Sequence, residues 1–234
     1  IIKKLHIKEG QKILEIGCGW GGMAFEIAKQ KKCEVTGISL SKNQIKYCNE
    51  KAKELGLDNQ VKFELIDYRE AKGHYDRIYS VGMFEHVGKK FYKIFFKTMN
   101  KLLKDDGLFL LHTIGVVDSP SPPNKFINKY IFPGGTCPSF SQIISPIEKT
   151  GLIVSDTETL IRHYDKTLES WLERFLDKRR EVKDLFDEKF VKMWEFYMAS
   201  CAAAFRYRDL VVFQLQIVKN FQSAHRTRDY IYKT

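Results

Sequence analysis

The sequence predicts an α/β protein built on a mostly parallel sheet with helices on both faces. Three observations lead there. Between residues 12 and 114, short apolar runs alternate with amphipathic segments of helical period. The first apolar run ends in a Gly-rich turn, GCGWGG from Gly17 to Gly22, that opens a helix. After a proline-rich break the pattern resumes with two more strand-like runs, so seven strands are expected.

The strand-like runs are KILEI (12–16), CEVTGI (33–38), VKFEL (61–65), DRIYSV (76–81) and LFLLHTI (108–114). Helical patterns fill the gaps near 21–30, 41–55 and 89–103, with Gly56 and Gly107 placed as stops. Residues 115–140 hold all but one of the six prolines, too long a stretch for a plain connector, and a functional insertion or lid is expected. Then come the strand LIVSDTETL, helices near 165–180 and 187–205, and a last strand LVVFQLQIV. No repeat or low-complexity tract interrupts the order.

A chain of 234 residues, 44% hydrophobic and 29% charged, suits one globular domain, taken as 1–234. Its apolar runs are far shorter than the roughly 20 residues of a membrane span. No signal peptide is visible, and a start at Ile1 without Met is what a fragment would show. The five cysteines, at 18, 33, 48, 137 and 201, have no CxxC spacing. They read as free thiols in a reducing cytoplasm, with no metal site. A net charge of +10 suggests a polyanionic partner, lipid or nucleic acid, or solubility alone.

The Gly run fits two ligand classes. Gly17, Gly19 and Gly22 match the dinucleotide spacing; Gly17, Gly19 and Gly21 match that of S-adenosylmethionine (SAM) enzymes. Glycines allow a tight turn and close backbone approach, and the following helix offers free N–H groups. The dinucleotide pattern wants an acid at the end of strand two. That end carries Gly37 and Ser39 instead, which disfavours NAD. Ser39 and Gln44 stand where ribose or carboxylate contacts are made; equally, Ser39 or Ser41 caps the helix that follows.

Strand four leads into SVGMFEHVG, so Glu85 and His86 lie past its carboxyl end, the ligand side of an open α/β sheet. His112 and Ile114 lie near the same edge and share a face of strand five. Alone, Glu85 is an ordinary helix-start acid and His112 an ordinary core histidine. Together on adjacent loops they point to function. The lysines at 89, 93, 97 and 101 form one helix face opposite Tyr92, Phe95, Phe96, Met99 and Leu103. That is a solvated face or a basic stripe for lipid headgroups.

With these residues in view, the chain resembles the cyclopropane-fatty-acyl-phospholipid synthases, including the mycolic acid cyclopropane synthases. The resemblance runs through GCGWGG, GISLSKNQ, VGMFEHVG, LLHTIG, INKYIFPGG, HYDKTLESWLERF and FYMASCAAAFRYRD, in that order. It implies a Rossmann-like class I SAM-dependent methyltransferase fold, lacking the small N-terminal lipid-binding domain usual in the family. The implied reaction moves a methylene group from SAM to the cis double bond of an unsaturated phospholipid acyl chain, closing a cyclopropane, with bound bicarbonate as base. The resemblance puts SAM on Gly17, Cys18, Gly19, Trp20, Gly21, Ser39 and Gln44, with Asp67, Tyr68 and Arg69 flanking the adenine. It puts bicarbonate on Glu85, His112 and Tyr164, and on Cys18 and Ile114 through their backbones. Cys201 matches a cysteine suspected as catalytic in the family; among Ala202, Ala203 and Ala204 it reads as a small core residue. Aromatic faces for a passing cation are expected from Trp20, Tyr130, Phe132, Tyr164 and Phe205.

The implied setting is cytoplasmic, peripheral on the inner face of the plasma membrane, with no nucleic acid partner and a homodimer as the candidate assembly. Two other readings compete: an N-methyltransferase for a small amine, which needs no bicarbonate cage, and a basic lipid- or RNA-binding module that has lost catalysis. The intact Gly loop, Glu85 and His112 argue against the latter.

Overall fold

Along KILEI, Leu14 and Ile16 are buried toward one side of the sheet and Ile13 toward the other. A strand covered on both faces is what a central parallel strand requires. The computed structural model describes residues 1–120, 122 and 124–232. The elements are α1 (Ile2–Leu5), β1 (Lys12–Ile16), α2 (Gly22–Gln30), β2 (Glu34–Ser39), α3 (Lys42–Glu54), β3 (Val61–Leu65), β4 (Tyr75–Val81), α4 (Tyr92–Leu102), β5 (Leu103–Val116), α5 (Lys125–Tyr130), α6 (Phe140–Glu148), β6 (Ile153–Leu160), α7 (His163–Asp177), α8 (Arg179–Leu185), α9 (Glu188–Tyr207), β7 (Leu210–Val218) and α10 (Asp229–Tyr232).

The seven strands run β3-β2-β1-β4-β5-β7-β6. β3 to β5 pair in parallel through β2, β1 and β4, while β7 is antiparallel to both β5 and β6. The chain order reverses between β1 and β4, the switch point beside which open α/β sheets bind ligands. One core lies under α4 and α6, around Phe84, Phe95, Phe96 and Phe109. A second lies under α1, α2 and α3, around Leu5, Phe25, Phe63 and Tyr79. A third, small cluster of Leu168, Ala202, Phe205 and Val212 seats α7 and α9 on β7.

The expected strands are all present. The helix expected over 89–103 is shorter. It begins with a 3₁₀ turn at Lys89–Phe91 and ends at Leu102, where Leu103 turns extended and pairs with Tyr75. Gly107 is therefore not a helix stop. It sits in β5 opposite a register shift, and a Cβ there would meet the Leu103 side chain at 2.6 Å and the Lys104 carbonyl at 2.9 Å. Gly56 does follow a helix end, with φ +66°. The helix expected over 165–180 breaks at Lys178 into α7 and α8. α6 has no counterpart among the expected helices because Pro146 lies inside it. Its signal is the capping box of Ser139 and Gln142. The insertion after β5 carries α5 and a turn at Phe132–Gly135; Ser121 and Pro123 of this stretch lie outside the described residues.

Glu15 is a charged type in the middle of β1, 4% exposed. Burial pushes its carboxyl up to about 8, against a partial opposing effect of the neighbouring Tyr79 hydroxyl. An open chain releases that proton near 4.5, so between pH 4.5 and 8 the folded protein holds a proton that the unfolded chain has lost. Stability therefore falls as pH rises through this window. Glu15→Gln should unfold at a higher temperature than wild type at pH 8, with the difference vanishing near pH 4.5. Thermal unfolding across that range checks it. A difference of constant size at all pH values would assign the effect to packing instead.

Candidate active site

β1 delivers the Gly loop to the switch point. The N–H groups of Gly17 and Cys18 both donate to the Ile38 carbonyl at 3.0 Å, and Gly21 N–H donates to the Cys18 carbonyl at 2.9 Å. Gly17, Gly19 and Gly21 all have positive φ, +81°, +52° and +79°, which explains the residue type. A Cβ on Gly17 would lie 2.6 Å from the Met83 side chain. Gly37, read in the sequence only as a missing acid, is a packing glycine: a Cβ there would meet Phe63 at 2.6 Å and Cys18 at 2.8 Å.

Beside this loop opens a cavity of about 620 Å³. Gly17, Ser39, Asp67, Tyr68 and Arg69 of the expected cofactor set line it, together with His86, placed on the ligand side by its position past β4, and Met83, which the sequence had not singled out. Both serines line the cavity, and one of them also caps. Ser41 caps α3 by accepting from Gln44 N–H, while Ser39 donates to Gln44 Oε1 at 2.8 Å. Asp67 takes the Arg69 guanidinium at 2.6 and 2.8 Å, which holds its carboxyl below the usual range. Trp20 lies outside the cavity lining. It is 58% exposed and meets Tyr47 edge to face at 5.3 Å.

The second cluster is built by the segment after β4. Gly82 turns with φ +67° and its N–H donates to the His112 carbonyl. Phe84 is then driven into the core against Tyr92, Phe95 and Phe96. Its neighbour Glu85 is buried on the β5 side. Glu85 Oε1 accepts the Ile114 N–H at 2.6 Å. Glu85 Oε2 is buried with no hydrogen-bond partner among the described residues. Burial pushes this carboxyl up, opposed by the backbone N–H groups that face it. A buried carboxylate oxygen without a donor is costly, and its position at the ligand edge of the sheet makes this atom a candidate contact for a ligand.

Tyr164 lies within electrostatic reach of Glu85. Its phenol is raised by burial and then by the Glu85 and Cys201 charges, so it stays a donor at neutral pH. Its ring lies 5.1 Å from Phe205 and 5.9 Å from Trp171. Ile114, Tyr164 and Cys201 pack on one cluster. Burial pushes the Cys201 thiol up to about 11, which keeps it a thiol and fits a packing residue. His112 is half-buried, its Nδ1 3.0 Å from Gln214 Nε2, and burial pushes its imidazolium down to about 4.

Two expected backbone ligands are already engaged. The Ile114 N–H serves to orient Glu85. In Cys18 the N–H goes to Ile38, and the buried thiol packs beside Cys48, with both thiols directed at the Gly19 carbonyl. Cys18 thus belongs to the Gly loop, where sequence adjacency puts it, and its backbone N–H is not free for a ligand.

The insertion covers Glu85. Thr136 N–H donates to the Glu85 carbonyl at 2.9 Å, Tyr92 and Thr136 hydroxyls lie 3.3 Å apart, and Phe132 meets His86 and Tyr197 at 6.0 Å each. Tyr197 is an aromatic wall that the sequence had not marked. Tyr130 lies farther out, against Phe126, which in turn meets Phe196.

Known proteins resemble the chain in sequence and in fold. The family model described as mycolic acid cyclopropane synthetase matches residues 1–215. The cyclopropane-fatty-acyl-phospholipid synthase of Escherichia coli is 41% identical over 97% of the chain. A probable fatty acid methyltransferase of Pseudomonas putida is 34% identical over the whole chain. The chain spans 58% and 62% of those relatives' own lengths. Among solved structures, the cyclopropane synthase MmaA2 from Mycobacterium tuberculosis superposes with TM-score 0.87 at 30% identity, covering 92% of this chain and 80% of that one. The mycolic acid cyclopropane synthase CmaA1, complexed with SAH and CTAB, gives 0.85 at the same identity and coverage. The fold is that of the class I SAM-dependent methyltransferases, and the chain belongs to the mycolic acid cyclopropane synthetase family.

Proposed function

We propose that residues 1–234 form one catalytic domain that transfers a methylene group from SAM to the cis double bond of an unsaturated phospholipid acyl chain, with bicarbonate bound at Glu85, His112 and Tyr164. The observation that carries this reading is the buried Oε2 of Glu85, without a partner among the described residues and within electrostatic reach of the Tyr164 phenol, next in the chain to His86 of the cavity that Gly17 lines. The named relatives and the SAH in the CmaA1 complex support the cofactor and the lipid class.

The residues suit the chemistry. An alkene is a weak nucleophile. Its π pair attacks the sulfonium methyl carbon, and the S–C bond breaks with its pair leaving on sulfur. The acyl chain is then a carbocation, which the faces of Phe132, Tyr164, Tyr197 and Phe205 can stabilise without reacting. Loss of a proton from the new methyl supplies the electron pair that closes the ring. Bicarbonate, when bound, supplies the base for that step. Glu85 Oε2 accepts the hydroxyl of such an ion, and Tyr164 donates to one of its oxygens. A fixed set of partners, shielded by the insertion, keeps the small base oriented and excludes water that would trap the cation.

The decisive experiment incubates the chain with SAM and vesicles of unsaturated phospholipid, then weighs the acyl chains. A gain of one CH2 with loss of the oxidatively cleavable double bond is expected. Retention of that double bond would make the product a methyl-alkene, and methylation of an added amine alone would reverse the substrate class.

A lipid substrate also implies attachment to a bilayer. The lysines at 89, 93, 97 and 101 are exposed, and Lys89 and Lys93 line, with Lys90 and Lys149, a cleft of about 320 Å³. Among the described residues no helix is long and apolar enough to cross a membrane. Flotation with anionic vesicles should fall steeply as salt rises from about 0.1 to about 1 M, where the screening length shrinks from about 10 to about 3 Å. Salt-independent flotation would reject the electrostatic account.

A further inference from the structure

β7 reads LVVFQLQIV, an apolar strand with two amides inside it, Gln214 and Gln216. Both are buried. In the sheet, Gln214 lies directly between two other polar residues: it pairs with His112 of β5 on one side and with Glu158 of β6 on the other. Lys4 of α1 reaches over this row. Its side chain is buried, it forms an ion pair with Glu158, and its Nζ lies 2.7 Å from Gln214 Oε1. The Lys4 carbonyl is held in turn by Gln216 Nε2.

The donors and acceptors along this row admit one assignment. An ammonium only donates, so the side of Gln214 facing Lys4 must be its carbonyl oxygen. The amide nitrogen of Gln214 then faces His112 Nδ1, at 3.0 Å. An amide NH2 only donates, so Nδ1 must accept. In a neutral imidazole the proton is then on Nε2. The ring is neutral at pH 7 because burial disfavours the imidazolium. Nε2 makes no hydrogen bond to the described residues. It belongs to the face that His112 shares with Ile114, which packs with Tyr164.

We propose that Lys4 and Gln214 are positioning residues that hold His112 in its Nε2–H tautomer, so that the ring offers a donor to an anion at the Glu85–Tyr164 site. The tautomer stands on hydrogen-bond logic alone; its effect on turnover rests on the function proposed above. The consequence is complementarity. Glu85 Oε2 is an acceptor, and Nε2–H is a donor. A small oxyanion carrying one hydroxyl meets both. The opposite tautomer would turn a lone pair toward the anion, and His112 would then compete for the role of base.

The test is a long-range ¹H–¹⁵N correlation spectrum of the histidine side chains at pH 7, with His112 assigned by its loss in His112→Asn. Wild type should show a pyrrole-type nitrogen at Nε2 and a pyridine-type nitrogen at Nδ1. Gln214→Glu keeps the shape but replaces the donor with an acceptor, and should put a proton on Nδ1. Lys4→Arg retains a donor-only cation and should keep the wild-type pattern, whereas Lys4→Met should lose it. In parallel, Gln214→Glu should lower kcat at least about tenfold while SAM affinity changes less than about twofold, the split expected of a group acting in the transition state. A proton on Nδ1 in wild type, or an unaltered pattern in Gln214→Glu, overturns the proposal and leaves the lipid reading intact. An inverted tautomer with unchanged kcat overturns the positioning role. If the chain proves inactive on lipids, the tautomer arm still decides the structural half.

Discussion

Glu85→Gln should lower turnover by roughly two to three orders of magnitude, the usual cost of removing one preorganised partner of a reacting group. The reason lies in how the carboxylate is held. Oε1 accepts the Ile114 N–H, so the glutamine must keep its carbonyl oxygen there. Its NH2 then falls where Oε2 was, and a buried acceptor becomes a buried donor. SAM affinity should change little, because Glu85 lies outside the lining of the cofactor cavity. The measurement is kcat and SAM affinity, each with bicarbonate titrated at fixed pH and ionic strength. If Glu85 holds the ion, stripping bicarbonate slows the wild type and adding it partly restores the variant. If Glu85 were itself the base, the variant would stay dead at every concentration. Flat responses in both would reject bicarbonate and leave methyl transfer standing.

Gly17→Ala should abolish measurable SAM binding. Two costs combine. The position has φ +81°, which costs an L-residue about 1–2 kcal/mol. The added Cβ would lie 2.6 Å from Met83 Cγ, and Met83 lines the cavity, so relief of the clash moves a side chain into the ligand space. Gly19→Ala has φ +52° but nothing within 4 Å, and should be the milder change. Gly19→Val adds a β-branched side chain to that strained backbone and blocks close approach to the loop. Calorimetric titration with SAM, with thermal unfolding to confirm a folded variant, checks the order. Undiminished affinity in Gly17→Ala would sink the assignment of this cavity to the cofactor.

The site was legible in unequal parts. The Asp67–Arg69 segment was placed by resemblance, whereas the Gly loop and Ser39 were visible because each follows the end of a strand whose apolar run marks it, and chain order alone brings strand ends to one edge. Glu85 was visible for the same reason. Its partnerless oxygen was not, since that depends on Phe84 being packed one way and Ile114 presenting its N–H from β5. Tyr164 could be placed only by resemblance, because nothing local tells which aromatic of α7 turns inward. Gln214 and Lys4 left a trace, two polar residues in an apolar strand and a lysine beside Leu5, but no rule of spacing joins residues 210 positions apart.

By itself the sequence determined the strands, the Gly turn, the family and the edge on which chemistry is placed, because hydrophobic period and turn residues act within a few positions of the chain. Tertiary structure alone decided where α4 ends, since Leu103 gains a strand partner in Tyr75, and that Pro146 is tolerated in α6. It also decided which backbone groups are already engaged, as at Cys18 and Ile114, and which side chain faces His112 Nδ1. Those are pairwise matters between strands and helices distant in sequence. Every buried donor and acceptor must find a partner, and only the assembled sheet says which partner is within reach.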